Sequence, residues 1–185
     1  MLVPVTALLR RFRGEPGRAK DVAALRARFK DAARAPARDE ARALAQELRE
    51  LRPKVLEAFA GARACGGCAR GRPLPHGKWD GGFCCGGATA GVFDDDEVAA
   101  LALGGTRPRD LHHRPRTPDE PQAGCAFRGP QGCTLPAVDR PNLCVRFACR
   151  ELETELRASG DWERVRALTK QLETAFARFT RASRA

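Results

Sequence analysis

The sequence predicts a mainly α-helical protein in which helical N- and C-terminal arms pack around a loop-rich, cysteine-ligated metal core with little or no sheet. Three observations predict it. Apolar residues recur at spacings of three and four in both flanks, which lines one face of a helix. All eight cysteines, Cys65, Cys68, Cys84, Cys85, Cys125, Cys133, Cys144 and Cys149, fall between residues 65 and 149 of the 185, and neither flank contains one. That middle is rich in Gly, Pro and Arg and poor in long apolar runs, so burial alone is a weak way to hold it together. These changes of character give a helical arm over 1–60, a cysteine-rich core over 61–150 and a second helical arm over 151–185, within one compact domain.

In the first arm, Val22, Leu25 and Phe29 predict a helix over 21–33, with Asp21 as N-cap and Pro36 as the break that follows. Leu44, Leu48, Leu51, Val55 and Phe59 predict a second over 39–59, which Pro53 is expected to kink or split. In the last arm Ser159-Gly160-Asp161 reads as a stop and a cap. Trp162, Val165, Leu168, Leu172, Phe176 and Phe179 form the stripe of a final helix. Packing within the chain is the expected use of these stripes, and a protein partner in an oligomer is the alternative.

The chain changes character at Gly61. Over 65–87 it reads CGGCARGRPLPHGKWDGGFCCGG, where glycines beside the cysteines let the backbone turn tightly and present N–H groups to sulfur. A CxxC turn of this kind points two thiolates at one metal. Asp94-Asp95-Asp96-Glu97 precedes an apolar run over 98–103 and is expected to cap a short helix, with its negative charge against the exposed N–H groups. His76, His112 and His113 rank below the cysteines as ligands. Eight thiolates already suffice for two four-coordinate centres, and adjacent histidines on an irregular loop share no fixed direction.

The stretch over 124–152, GCAFRGPQGCTLPAVDRPNLCVRFACREL, is the most specific. Were Cys144 and Cys149 both inside one α-helix, five steps of roughly 100° would leave them about 140° apart, unsuited to one ion. Arg140-Pro141-Asn142 reads as a helix entry, so the expectation is a helix from about Cys144 to about Ala158 with Cys149 on its inner face.

These motifs resemble a cysteine-cluster family of zinc- or iron-chelating proteins. The resemblance rests on an early Cys65, Cys68, Cys84 and Cys85 element and a later one of Cys125, Cys133, Arg140-Pro141, Cys144, Phe147 and Cys149. The 94–103 segment is similar to the family's short acidic helix. The resemblance spans Gly61 to Glu151, about half the chain, and extends to the cysteine-rich part of flagellin lysine-N-methylase. It implies that all eight cysteines are metal ligands.

Zinc favours closed tetrahedral thiolate sites, often assembled from two CxxC turns, and this chain has a single CxxC. Irregular spacing suits an iron–sulfur cluster, as does the methylase resemblance, so iron–sulfur is preferred and zinc is the alternative. Arg63, Arg70, Arg72, Arg128, Arg146 and Arg150 are available to offset thiolate charge.

A net charge of +10 permits contact with nucleic acid, but the arginines are dispersed among Asp and Glu, no nucleic-acid module accompanies them, and aromatics are few. The apolar run before Arg10, Arg11 and Arg13 has the wrong order for a secretory signal. No stretch reaches the roughly 20 apolar residues of a membrane span. With neither signal nor span a cytoplasmic protein is expected, and cysteine pairs outside an oxidising compartment then point to metal or redox chemistry. Its expected function is a metal-binding protein whose centres organise the fold. A metal-dependent redox or protein-modifying enzyme, or a zinc-stabilised basic interaction module, is the alternative. No phosphate loop or Ser/His/Asp arrangement is present in the sequence.

Overall fold

The computed structural model describes residues 18–62, 89–112, 125–129 and 132–184. In the first arm, α1 is Arg18–Arg34 and α2 is Asp39–Ala58. Helix α1 begins before Asp21, which therefore lies in its first turn rather than capping it. There its charge still meets unsatisfied N–H groups. Pro53 sits inside α2 without splitting it. Proline removes one helical hydrogen bond, and the flanking Leu48 and Val55, both fully buried, hold the helix on either side.

Among the described residues two short helices come next, α3 over Thr89–Val92 and α4 over Asp95–Leu103. Asp94 caps α4 as expected, its Oδ1 accepting the Glu97 backbone N–H at 2.8 Å. The described part of the cysteine-rich region then forms a minimal antiparallel ribbon of β1, Arg128–Gly129, and β2, Gly132–Cys133, with Arg128 opposite Cys133 and Gly129 opposite Gly132. A single 3₁₀ turn over Ala137–Asp139 leads into α5, Asn142–Arg146.

The single helix expected from about Cys144 to about Ala158 is two helices. After α5 the chain runs extended through Phe147 and Cys149 before α6, Arg150–Ser159. A straight helix would carry Val145 and Leu152, seven residues apart, to nearly the same side. In the fold they bury in different clusters, Val145 against the arms and Leu152 against Ala58 and Val165. Gly160 ends α6 at φ +82°, and α7 completes the chain over Trp162–Arg184.

Among the described residues, three apolar clusters assemble these elements. The arms meet in the most extensive helix pair, α2 against α7, through Leu44, Leu48 and Val55 on one side and Leu172 and Phe179 on the other. The stripes of the two arms thus cover each other. Helix α1 turns Val22, Leu25 and Phe29 onto α4 and the residues around the ribbon. There Phe93 stands between Phe29, edge-on at 6.4 Å, and Phe127, tilted at 5.6 Å. The third cluster joins Ala58, Leu152, Leu156 and Val165 where α2, α6 and α7 meet. Among the described residues no helix is long and apolar enough to cross a membrane.

Candidate metal centre

Cys65, Cys68, Cys84, Cys85, His76 and His113 lie outside the described residues, as do Arg63, Arg70 and Arg72. The four later cysteines are described, and the fold separates them three to one. Cys125 is buried within the aromatic cluster, and Cys133 and Cys144 pack against the same cluster. Cys149 packs instead against the third cluster, as the N-cap residue of α6. Among the described residues, no three of His, Cys, Asp and Glu come together as a group able to hold an ion.

Each of the three cysteines on the first cluster is fixed through its backbone surroundings. Beside Cys125, the Ala126 N–H donates to Thr89 Oγ1 at 2.9 Å, and Phe127 inserts its ring into the aromatic stack. Thr134 closes the ribbon, its N–H and its hydroxyl both donating to the Phe127 carbonyl at 2.8 and 2.9 Å. Arg140 reaches back over β2, with Nη2 donating to the Cys133 carbonyl at 3.1 Å and Nε to the Leu135 carbonyl at 2.8 Å. Cys144 occupies the first turn of α5, where its N–H donates to the Pro141 carbonyl at 3.0 Å.

Behind α5 lies a buried polar chain. Arg52 Nε donates to Asn142 Oδ1 at 3.1 Å, and Asn142 Nδ2 donates to Glu97 Oε2 at 3.1 Å. The Leu143 N–H reaches Glu97 Oε1 at 3.4 Å, so the carboxylate also serves the N-terminus of α5. Arg52 is 0 % exposed, Asn142 2 % and Glu97 4 %, which makes every partner in the chain costly to leave unmatched. Burial pushes the Glu97 carboxyl up to about 7, although the hydrogen bonds from Asn142 and Leu143 and the charge of Arg52 oppose the shift. Burial likewise pushes Arg52 down to about 10 against the attraction of Glu97 and Asp139. Among the described residues both Nη atoms of Arg52 are enclosed without a hydrogen-bond partner. Next to this chain, the Thr106 hydroxyl donates to Asp139 Oδ1 at 2.7 Å and Arg49 Nη1 lies 3.8 Å from the same oxygen.

Arg52 and Glu97 carry a sequence signal that a stripe of apolar residues hides. Arg52 stands four residues after Leu48 and three before Val55, in register with the buried face of α2, and Glu97 stands four before the buried Leu101. A charge in the register of a core stripe marks a buried polar contact. Of the arginines expected to offset thiolate charge, Arg146 pairs with Glu173 of α7 at 2.7 Å and Arg150 is exposed. His112 is exposed, with its Nδ1 3.3 Å from Arg26 Nη2.

No family model, curated protein or solved structure matches the chain.

Proposed function

We propose that the chain is a metal-binding protein whose cysteines hold one or two thiolate-ligated centres, iron–sulfur in preference to zinc, and that these centres organise the region between the arms. The observation that carries this reading is the placement of Cys125, Cys133 and Cys144, from separate local structures, on one apolar cluster, with the backbones of Cys133, Cys144 and the residue after Cys125 tied by hydrogen bonds. An apolar surround with oriented backbone dipoles is the setting in which thiolate ligands tune a metal. The described thiols do not make a group of three, so the reading requires ligands from the early cysteines. Connectivity favours this. Cys85 precedes Thr89 by four residues, a reach of at most ~14 Å, and Thr89 is hydrogen-bonded to the residue after Cys125. At the other end, Cys65 follows Ala62 by three residues, and Ala62 packs on the cluster that holds Cys149.

The test is elemental analysis for iron, acid-labile sulfide and zinc together with an absorption spectrum on anaerobically purified protein. Iron and sulfide in proportion, with visible absorbance, are expected, and Cys125→Ser is expected to lose most of both. Stoichiometric zinc in a colourless protein would replace iron–sulfur with a structural zinc site. Wild-type protein with neither metal, or undiminished metal in the variant, would overturn the reading.

A further inference from the structure

Residues Arg140, Pro141 and Asn142 each make a different tie, and together the ties bear on two of the cysteines. The Arg140 guanidinium binds the carbonyl of Cys133 itself. The Pro141 carbonyl accepts the N–H of Cys144. The Asn142 amide is held from behind, accepting from Arg52 of α2 and donating to Glu97 of α4. Asn142 therefore lies between a buried cation and a buried carboxylate from two different helices. With Glu97 ionised, an amide held between these opposite charges makes stronger hydrogen bonds than one between neutral partners, and it is polarised in one direction only. Glu97 adds its tie to the Leu143 N–H, one residue before Cys144. Both ends of the clamp are anchored in well-packed helices, since Leu48 and Val55 beside Arg52 and Leu101 beside Glu97 are buried.

We propose that Arg52, Glu97, Asn142 and Arg140 are positioning residues of the cysteine centre. The Arg52–Asn142–Glu97 clamp sets where Cys144 stands, and Arg140 sets where Cys133 stands relative to it. None of the four is a ligand in this proposal; each acts through the backbone that carries a thiol. The proposal rests on the metal-centre reading for its purpose, but the positioning itself is measurable whether or not the thiols hold metal. Cys149 lies on another cluster, outside these ties, and serves as an internal reference.

Full-length protein, purified anaerobically, is exposed to a short pulse of iodoacetamide, and alkylation at Cys133, Cys144 and Cys149 is read by peptide mass spectrometry. Elemental analysis is run on the same samples. Asn142→Ala is expected to speed alkylation of Cys144 at least tenfold, as loss of charge-assisted buried hydrogen bonds opens that turn locally, with Cys149 unchanged within about twofold. Arg140→Ala is expected to act on Cys133 more than on Cys144. Glu97→Gln, which keeps shape, is expected to move Cys144 in the same direction by a smaller factor. Equal acceleration of Cys144 and Cys149 would show general destabilisation and overturn the clamp, as would no acceleration at Cys144 in either variant. Wild-type protein without metal would sink the metal reading alone and leave the reactivity pattern to decide the clamp.

Discussion

Glu97 shows how one buried side chain links the protein's stability to pH. Its carboxyl is raised from an ordinary 4.5 to about 7, so the native state retains a proton that the unfolded chain has already released. Stability therefore falls as pH rises from about 4.5 to about 7 and is level above that, with a total loss of order 3 kcal/mol. Urea unfolding at about pH 5 and about pH 8 measures the difference, which Glu97→Gln is expected to abolish. An unchanged difference in the variant would mean that the carboxyl titrates normally. The same residue explains a limit of reading charge locally. Asp94 behaves as an isolated helix-capping residue should, whereas Glu97, three positions on, turns inward to serve another helix.

Among the elements, the junction between α6 and α7 is the clearest case of sequence dictating geometry. The Leu156 carbonyl accepts the Asp161 N–H at 3.0 Å, and the chain reverses through Gly160 in the left-handed region. A side chain there meets its own carbonyl, so Gly160→Ala is expected to cost about 1 kcal/mol, a fall in Tm of a few degrees by thermal unfolding. Space is not the issue, because nothing among the described residues lies within 4 Å of an added Cβ. An unchanged Tm would show that the turn tolerates another conformation. The break between α5 and α6 has no comparable local signature. No Gly or Pro marks residues 147–149, and the interruption follows from Val145 and Leu152 belonging to different clusters.

At the scale of the molecule, two large aromatic side chains separate the roles of the arms and the cysteine region. Phe127 and Phe179 are both fully buried, one beside Cys125 and the other in the α2–α7 interface. Each truncation to Ala is expected to cost about 3–5 kcal/mol in chemical unfolding. On the proposed metal-centre reading, their effects on metal should differ. Phe127→Ala is expected to lower metal content per folded protein because it loosens the ribbon between Cys125 and Cys133, while Phe179→Ala leaves that ratio intact. Equal metal loss in both variants would mean that the centre depends on global stability alone.

The sequence by itself determined the helical arms, their buried faces, the Asp94 cap, the stop at Gly160 and the confinement of every cysteine to the middle. Each is written in spacings of a few residues, where helical period and turn chemistry act directly. Tertiary structure alone decided that Cys149 parts from Cys125, Cys133 and Cys144, that α5 and α6 are separate, and that Arg52 and Glu97 meet across Asn142. Arg52 and Asn142 are 90 residues apart in the chain, and Glu97 and Asn142 are 45 apart. The stripes show that Arg52 and Glu97 point inward. What they meet there depends on how α2, α4 and α5 dock, because a buried charge is matched by whichever partner the packing of the whole core brings to it.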